Sequence, residues 1–433
     1  MVTKIGLDLG YANITLSDVM AEIYREPSVA LIYKNARPDA RRVISVGSEA
    51  VNSDGEAIGG ADGILVRPFK NGILFDQQLT QEIINNAIKA VKPAENIRCI
   101  VGVPSDFLPK QEKELFSMLF EAGVDTSLSV VRSVAAVIGA GYSPSISVIS
   151  VNVGAQCTEI AVMHKGEVVH LSKSVIGGED FDKAVRNYIL NQGDVNISLQ
   201  VARAIKERLG AVWKGRPNDS IDIEGTLSLT GNRLKMSVAT EDIVGVFEPP
   251  LKALIDAIVD AVKKIPADMC GDIVENGIVL TGGGAELYGI DMLLSKVLGL
   301  PVTKPKDAID SVAKGLSRIN GFLPAKLKIN NKNITNLVSK YYEEYKDERK
   351  NICRRYGRAY VLRCCSYRSW CASYLRRGKR QRHIFCNSKL TYELNKKRGA
   401  SGLIFTVLKH LVFYYIFFPK PLITLFRTLL KTC

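Results

Sequence analysis

Nine cysteines occur in 433 residues, and no Cys-x-x-Cys pair is matched by a second one. A structural zinc site of the usual tetrahedral kind draws on such pairs, so zinc is excluded as the organising chemistry. Cys99, Cys157 and Cys270 are scattered through the first 350 residues, a pattern of reduced cytosolic thiols rather than a disulfide framework. A basic-then-apolar leader is missing, because Asp8 interrupts the first apolar run, so no secretory signal is expected. An unbroken apolar run of membrane length is missing too. The nearest approach, 403–418, is broken by Lys409 and His410 and stopped by Pro419 and Pro421. A basic excess is absent from most of the chain, although the whole carries a net charge of +14. Residues 351–433 hold eighteen Lys or Arg and one acid, Glu393, which leaves 40 basic and 43 acidic residues before them. Nucleic-acid binding by the whole protein therefore loses its main support, and no nucleic-acid partner is expected.

What is present is a set of glycine turns at the ends of apolar strands. Lys4-Ile5-Gly6-Leu7-Asp8-Leu9-Gly10 runs a strand into a carboxylate and a bend, continued by Tyr11, Ala12 and Asn13. Backbone N–H groups in such a turn cradle a phosphate, and the carboxylate suits a hydrated magnesium ion. Taken alone, the motif equally describes a plain hairpin. Two further stretches join it. Ser147 to Val153 is a strand that turns at Gly154 into a second strand, and Ile278-Val279-Leu280-Thr281 empties into Gly282, Gly283 and Gly284. Three strand-to-loop grips in two halves of one chain predict a nucleotide cleft.

The remaining periodicity is of α/β type. Helices are expected over 79–91, 111–122, 131–140, 183–191, 201–212, 251–264, 292–297 and 311–319. Strands are expected at 14–17, 28–33, 97–103 and within 221–237. Paired glycines, Gly177 and Gly178, open the 183–191 helix with acids in its first turn.

These turns, with Glu26-Pro27-Ser28-Val29, Arg67-Pro68-Phe69-Lys70-Asn71-Gly72, Val103-Pro104-Ser105 and Ala136-Val137-Ile138-Gly139, resemble the ATPase superfamily of actin, heat-shock chaperones and sugar kinases. Within it they are most similar to the MreB family of bacterial actins, over about residues 2–322. The resemblance implies a two-domain actin-like ATPase fold, each half a mixed sheet flanked by helices with a smaller inserted subdomain. The implied boundaries are 1–144 with an insert at 31–65, then 145–325 with an insert at 184–246. It implies ATP and Mg2+ as cofactors. The nucleotide would be held by Asp8, Gly10, Tyr11, Ala12, Asn13, Asn152, Gly154, Gly177, Gly178, Lys206, Glu207, Gly282, Gly283 and Gly284, with Asp8 on the metal through water. Lys206 and Glu207 equally fit an ordinary solvated helix face. Implied partners are further copies of the chain in filaments, the membrane surface and cell-wall synthesis proteins, at a cytoplasmic, membrane-associated location.

The phosphate positions depart from the family pattern. Arg132 stands where the family carries its catalytic acid, and a guanidinium cannot accept a proton. Asn152 replaces an Asp, Ala155-Gln156-Cys157 fills glycine positions, and Tyr11 replaces a Thr or Ser. Binding with weak or absent hydrolysis is expected. The string Gly177-Gly178-Glu179-Asp180-Phe181-Asp182 looks more like the chaperone ATPases, which keeps a monomeric chaperone-like ATPase as the rival reading. A small-molecule kinase would need an acid facing a sugar pocket, and none is identifiable. Residues 326–433 read as a linker and a basic, Cys- and aromatic-rich tail, either a membrane-surface element or a non-native extension.

Overall fold

The computed structural model describes residues 2–18, 23–34, 43–52, 58, 63–70, 73–91, 96–323 and 342–343, all in one unit. The tail beyond 343, its six cysteines, the 326–341 linker and most of the 53–63 loop lie outside the described residues. The strands are β1 (Thr3–Leu9), β2 (Asn13–Asp18), β3 (Ile23–Pro27), β4 (Ala30–Tyr33), β5 (Val43–Val46), β6 (Gly63–Val66), β7 (Phe69–Lys70), β8 (Ile73–Leu74), β9 (Ile97–Val103), β10 (Thr126–Val131), β11 (Val148–Val153), β12 (Thr158–His164), β13 (Glu167–Ser174), β14 (Val195–Asn196), β15 (Ser220–Leu227), β16 (Arg233–Ala239), β17 (Ile278–Thr281) and β18 (Val302–Thr303). The helices are α1 (Gln77–Lys89), α2 (Pro109–Glu121), α3 (Arg132–Gly139), α4 (Gly178–Gly193), α5 (Leu199–Leu209), α6 (Glu248–Val262), α7 (Cys270–Asn276), α8 (Ile290–Leu298) and α9 (Ser311–Phe322).

Two five-stranded sheets share one plan. The first is ordered β10-β9-β1-β2-β3 and the second β18-β17-β11-β12-β13. In each, the leading strand starts an antiparallel meander of three (β1 to β3, β11 to β13) and also pairs in parallel with a later strand. Helices make the parallel crossovers, α2 between β9 and β10 and α8 between β17 and β18. β9 and β11 are buried at every position, as strands covered on both faces should be. Two further three-stranded sheets are β5-β4-β6 and β14-β15-β16. The expected helices all form. The expected strand over 28–33 forms only from Ala30, as β4. β3 stops at Pro27 as an edge strand of the first sheet, where a missing N–H is tolerated, and β4 begins at Ala30 in a small sheet.

One helix follows each large sheet and packs chiefly against the other sheet. α3 leaves β10 and lies on β11 and β12, while α9 leaves β18 and lies on β1 and β9. The two helices cross with backbone in contact. A Cβ on Gly139 would overlap the Ser311 carbonyl, and one on Gly315 would overlap the Ala135 carbonyl. Around the crossing Val134, Ala135, Val137, Ile138, Val312, Leu316 and Ile319 form a core with Ile100, Val148 and Val279. Beneath α9, Asn320 donates to the carbonyls of Ile5 and Arg98 at 2.8 Å, and Arg98 Nε donates back to Asn320 Oδ1 at 2.6 Å.

Gly315→Ala is expected to destabilise the protein by about 1–3 kcal/mol, because the helices must separate to admit one methyl group. A thermal or urea melt of the full chain checks it, with an exposed Gly271→Ala as the control; that glycine on α7 meets nothing within 4 Å.

Candidate functional site

The first turn joins β1 to β2. A Cβ on Gly10 would sit 2.6 Å from the Asn13 carbonyl oxygen, so only glycine fits the bend. Ser28 fastens it from the side: its hydroxyl donates to the Gly10 carbonyl at 2.6 Å and its N–H to Ala12 at 3.0 Å. Arg67 donates to the carbonyls of Tyr11 and Ala12 at 3.1 and 3.2 Å, and its guanidinium lies 5.2 Å from the Tyr11 ring centre. Burial, aided by the nearby Glu179 carboxylate, pushes the Tyr11 hydroxyl above the usual range.

The second turn, the paired glycines and the glycine triplet meet at one place. Gly154 N–H closes its turn on the Cys157 carbonyl at 2.9 Å, and the Gly178 N–H donates to Gly154 at 2.9 Å. A Cβ on Gly177 would lie 2.6 Å from the Ala155 carbonyl oxygen. Gly282 has φ +83°, and Cβ atoms on Gly282 or Gly284 would overlap Val153. Gly283 has no such neighbour, its Cβ position lying 3.9 Å from Ile309. Asn152 is buried opposite Thr281, whose hydroxyl donates to its side-chain oxygen at 3.4 Å. Lys206 on α5 donates to the Gly178 carbonyl at 3.1 Å and lies 2.6 Å from Asp182, whose carboxyl burial pushes up against the pull of that lysine. Glu207 points elsewhere: it is well exposed and pairs with Arg203 at 2.8 Å. Gln156 donates to Glu179 at 3.0 Å, and the same carboxylate acts on Tyr11 of the first turn.

Below the turns lies a buried relay. Arg132, the first residue of α3, places Nε 3.1 Å from Asp8 Oδ1 and donates from Nη1 to Glu159 Oε1 at 3.1 Å. Its Nη2 donates to the Leu9 carbonyl at 3.1 Å. Asp8 ends the first sheet's central strand, and Glu159 lies on β12, opposite Asn152. Burial pushes the carboxyls of Asp8 and Glu159 above their ordinary values, opposed by Arg132. Burial would lower Arg132, but Glu159 and Asp8 outweigh it and hold the guanidinium proton more tightly than usual. Two of its N–H groups donate within the protein and Nε faces Asp8, so the guanidinium is tied into the fold from both sheets. Gly102, paired with Asp8 across the sheet, makes room for it: a Cβ there would lie 3.1 Å from Arg132 Cγ.

The sequence model of the MreB/Mbl protein family matches residues 2–327. This chain belongs to the MreB/Mbl family. It is 30% identical over 319 residues to the cell shape-determining protein MreB of Escherichia coli, covering 72% of this chain and 91% of that one. It is 29% identical to the cell shape-determining protein Mbl of Bacillus cereus, again over 319 residues, covering 72% and 93%. Among solved structures it is similar to MreB5 of Spiroplasma citri bound to ADP, at 24% identity and a TM-score of 0.65, covering 72% of this chain and 94% of that one. A MamK double helical filament matches at 22% identity and a TM-score of 0.63, covering 75% and 100%. The chain is thus a divergent MreB-like actin homologue with the actin-like fold.

For this MreB homologue, two residues of the relay were not anticipated. Glu159 is an acid inside the apolar run Thr158 to Met163, a usable signal of a buried partner, whereas Gly102 carries none. Removing the guanidinium strands both carboxylates, so Arg132→Ala should cost about 3–5 kcal/mol at neutral pH. Without their counter-charge the carboxyls would be raised further. The folded form would then hold protons that the unfolded form releases, so the variant's stability falls as pH rises past the ordinary carboxylate range. Urea melts of both proteins between acid and neutral pH check the sign: the gap should widen with pH.

Proposed function

We propose that this chain is a nucleotide-binding, actin-like cytoskeletal subunit that polymerises at the inner face of the cytoplasmic membrane and takes part in shape control, with hydrolysis weak or lost. The observation that carries the reading is the convergence of three glycine turns with a guanidinium in place of a catalytic acid. The turns offer backbone N–H groups to phosphates. Neighbouring support comes from the MreB5 structures, described as bound to ADP and to AMPPNP, and from the MamK filament.

Each residue has a part in that reading. Gly10, Tyr11, Ala12 and Asn13 form the grip on one sheet; Gly154, Gly177 and Gly178 form it on the other. Gly282 and Gly284 let the adenosine loop lean on Val153, and Lys206 steadies the Gly178 carbonyl beside it. A nucleotide spanning both grips favours the conformer it contacts more, and that conformer fits the next subunit. Hydrolysis lacks its base, because Arg132 cannot accept a proton from water. The halves at 1–144 and 145–325 correspond to the two sheets of this clamp. Among the described residues no helix is long and apolar enough to cross a membrane. Attachment at the membrane, and contact with cell-wall synthesis proteins, are therefore assigned to surface association. The chaperone-like alternative is disfavoured by the family match.

Sedimentation of the full chain with and without ATP tests the assembly, and single-turnover phosphate release tests the chemistry. The expected result is nucleotide-dependent pelleting with release at the background rate of nucleotide alone. Protein that stays in the supernatant at every concentration overturns assembly, and release matching an MreB with its acid intact overturns the loss of hydrolysis.

A further inference from the structure

The residues at the expected magnesium position do not fit a divalent cation. Asp8 was the anticipated carboxylate, yet its Oδ1 faces Arg132 Nε at 3.1 Å. A hydrated Mg2+ on that carboxylate would stand beside a permanent positive charge. The second turn offers Asn152, which is neutral and buried against Thr281. Glu159 is the remaining acid of the cluster, but Arg132 lies between it and Asp8, bound to both. Among the described residues no group of three or more His, Cys, Asp or Glu side chains is placed to hold a metal ion.

Charge explains what replaces the ion. An acid at position 132 would leave three carboxylates facing an anionic ligand, a situation that calls for a divalent counter-ion. Arg132 removes one negative charge and adds one positive. That swing of two charges is as much as one Mg2+ carries, and it is fixed in the fold rather than drawn from solution. Three contacts hold it there: Asp8, Glu159 and the Leu9 carbonyl. A guanidinium carries five N–H groups, so these contacts leave two for a ligand above or for water. Glu159 Oε2 is buried and without a hydrogen-bond partner in the protein, as are Asp8 Oδ1 and Arg132 Nε, so the cluster's hydrogen-bonding capacity is not used up within the fold.

We propose that this site binds its adenine nucleotide without a divalent metal, Arg132 serving as the built-in counter-charge. The inference rests on the nucleotide-binding reading above. Metal-free nucleotide, the ligand class it names, is the form in which the phosphates themselves meet the turns.

The test is a titration of the full chain with fluorescent ATP and ADP analogues, once in excess Mg2+ and once in excess EDTA. The expected result is a ratio of the two dissociation constants below about threefold for the wild-type chain. A ratio above that overturns the proposal while leaving nucleotide binding intact. No binding in either buffer overturns the nucleotide reading itself, and the metal-free site with it. Two variants separate charge from fold. Arg132→Lys keeps the positive charge and should keep the ratio low. Arg132→Glu restores an acid and should raise the ratio past threefold; a folded Arg132→Glu that stays indifferent to EDTA overturns the role of Arg132. Should that variant fail to fold, the wild-type and Arg132→Lys titrations still decide between the outcomes.

Discussion

Everything at the site depends on two helices that touch backbone to backbone. α3 and α9 can approach that closely because Gly139 and Gly315 face carbonyls where any side chain would collide. Each helix belongs by chain order to one sheet and by packing to the other, so the crossing ties the sheets together. It also sets the depth of the first residue of α3. Arg132 emerges at the end of β10, with Gly102 leaving space for its stem, and so arrives between the two sheet ends. A helix displaced by one methyl group would move the guanidinium away from the 3.1 Å contacts it makes on both sides.

Those contacts cross the molecule. Asp8 and the Leu9 carbonyl belong to the first sheet and Glu159 to the second. Other polar links run the same way. Lys173 on β13 reaches Asp106, beyond the end of β9, at 2.6 Å, and Arg25 on β3 pairs with Asp310, just ahead of α9. Arg318 on α9 donates to the carbonyls of Ile138 and Gly139 at 2.8 Å. The exposed pairs contribute little individually. The buried relay differs because removing the guanidinium strands two carboxylates in a low-dielectric interior.

How much of this was legible beforehand divides along a physical line. Apolar periodicity is local, so β1, β9, α1, α2 and α6 were read within a few residues of their ends. The glycine turns were legible for the same reason, as short strings at strand ends. What was not legible is what register decides. Glu159 meets Arg132 because β12 folds back antiparallel on β11, and nothing within either strand says which acid will face which helix. Lys206 and Glu207 were taken as a pair, yet consecutive helical residues point about 100° apart, so one reaches Gly178 while the other meets Arg203 in solvent. The acids of Glu179-Asp180-Phe181-Asp182 were read as favourable to the helix dipole. In the fold they have separate tasks: Asp180 caps Gly177, Glu179 accepts from Gln156, and Asp182 holds Lys206.

A built-in bridge changes what a nucleotide has to do. In an actin-like clamp, a ligand shifts the balance between conformers only by the difference in its affinity for them. Arg132 spans the sheet ends through protein groups, so that part of the bridge is built into the fold. On the proposed reading, the part left for the nucleotide is the contact its phosphates make with the two turns. A catalytic acid would make the state of the clamp depend on whether the terminal bond had been broken. On the proposed reading, a guanidinium in that position leaves the clamp responding to occupancy rather than to turnover, with assembly coupled to how much nucleotide is bound instead of to a hydrolytic clock.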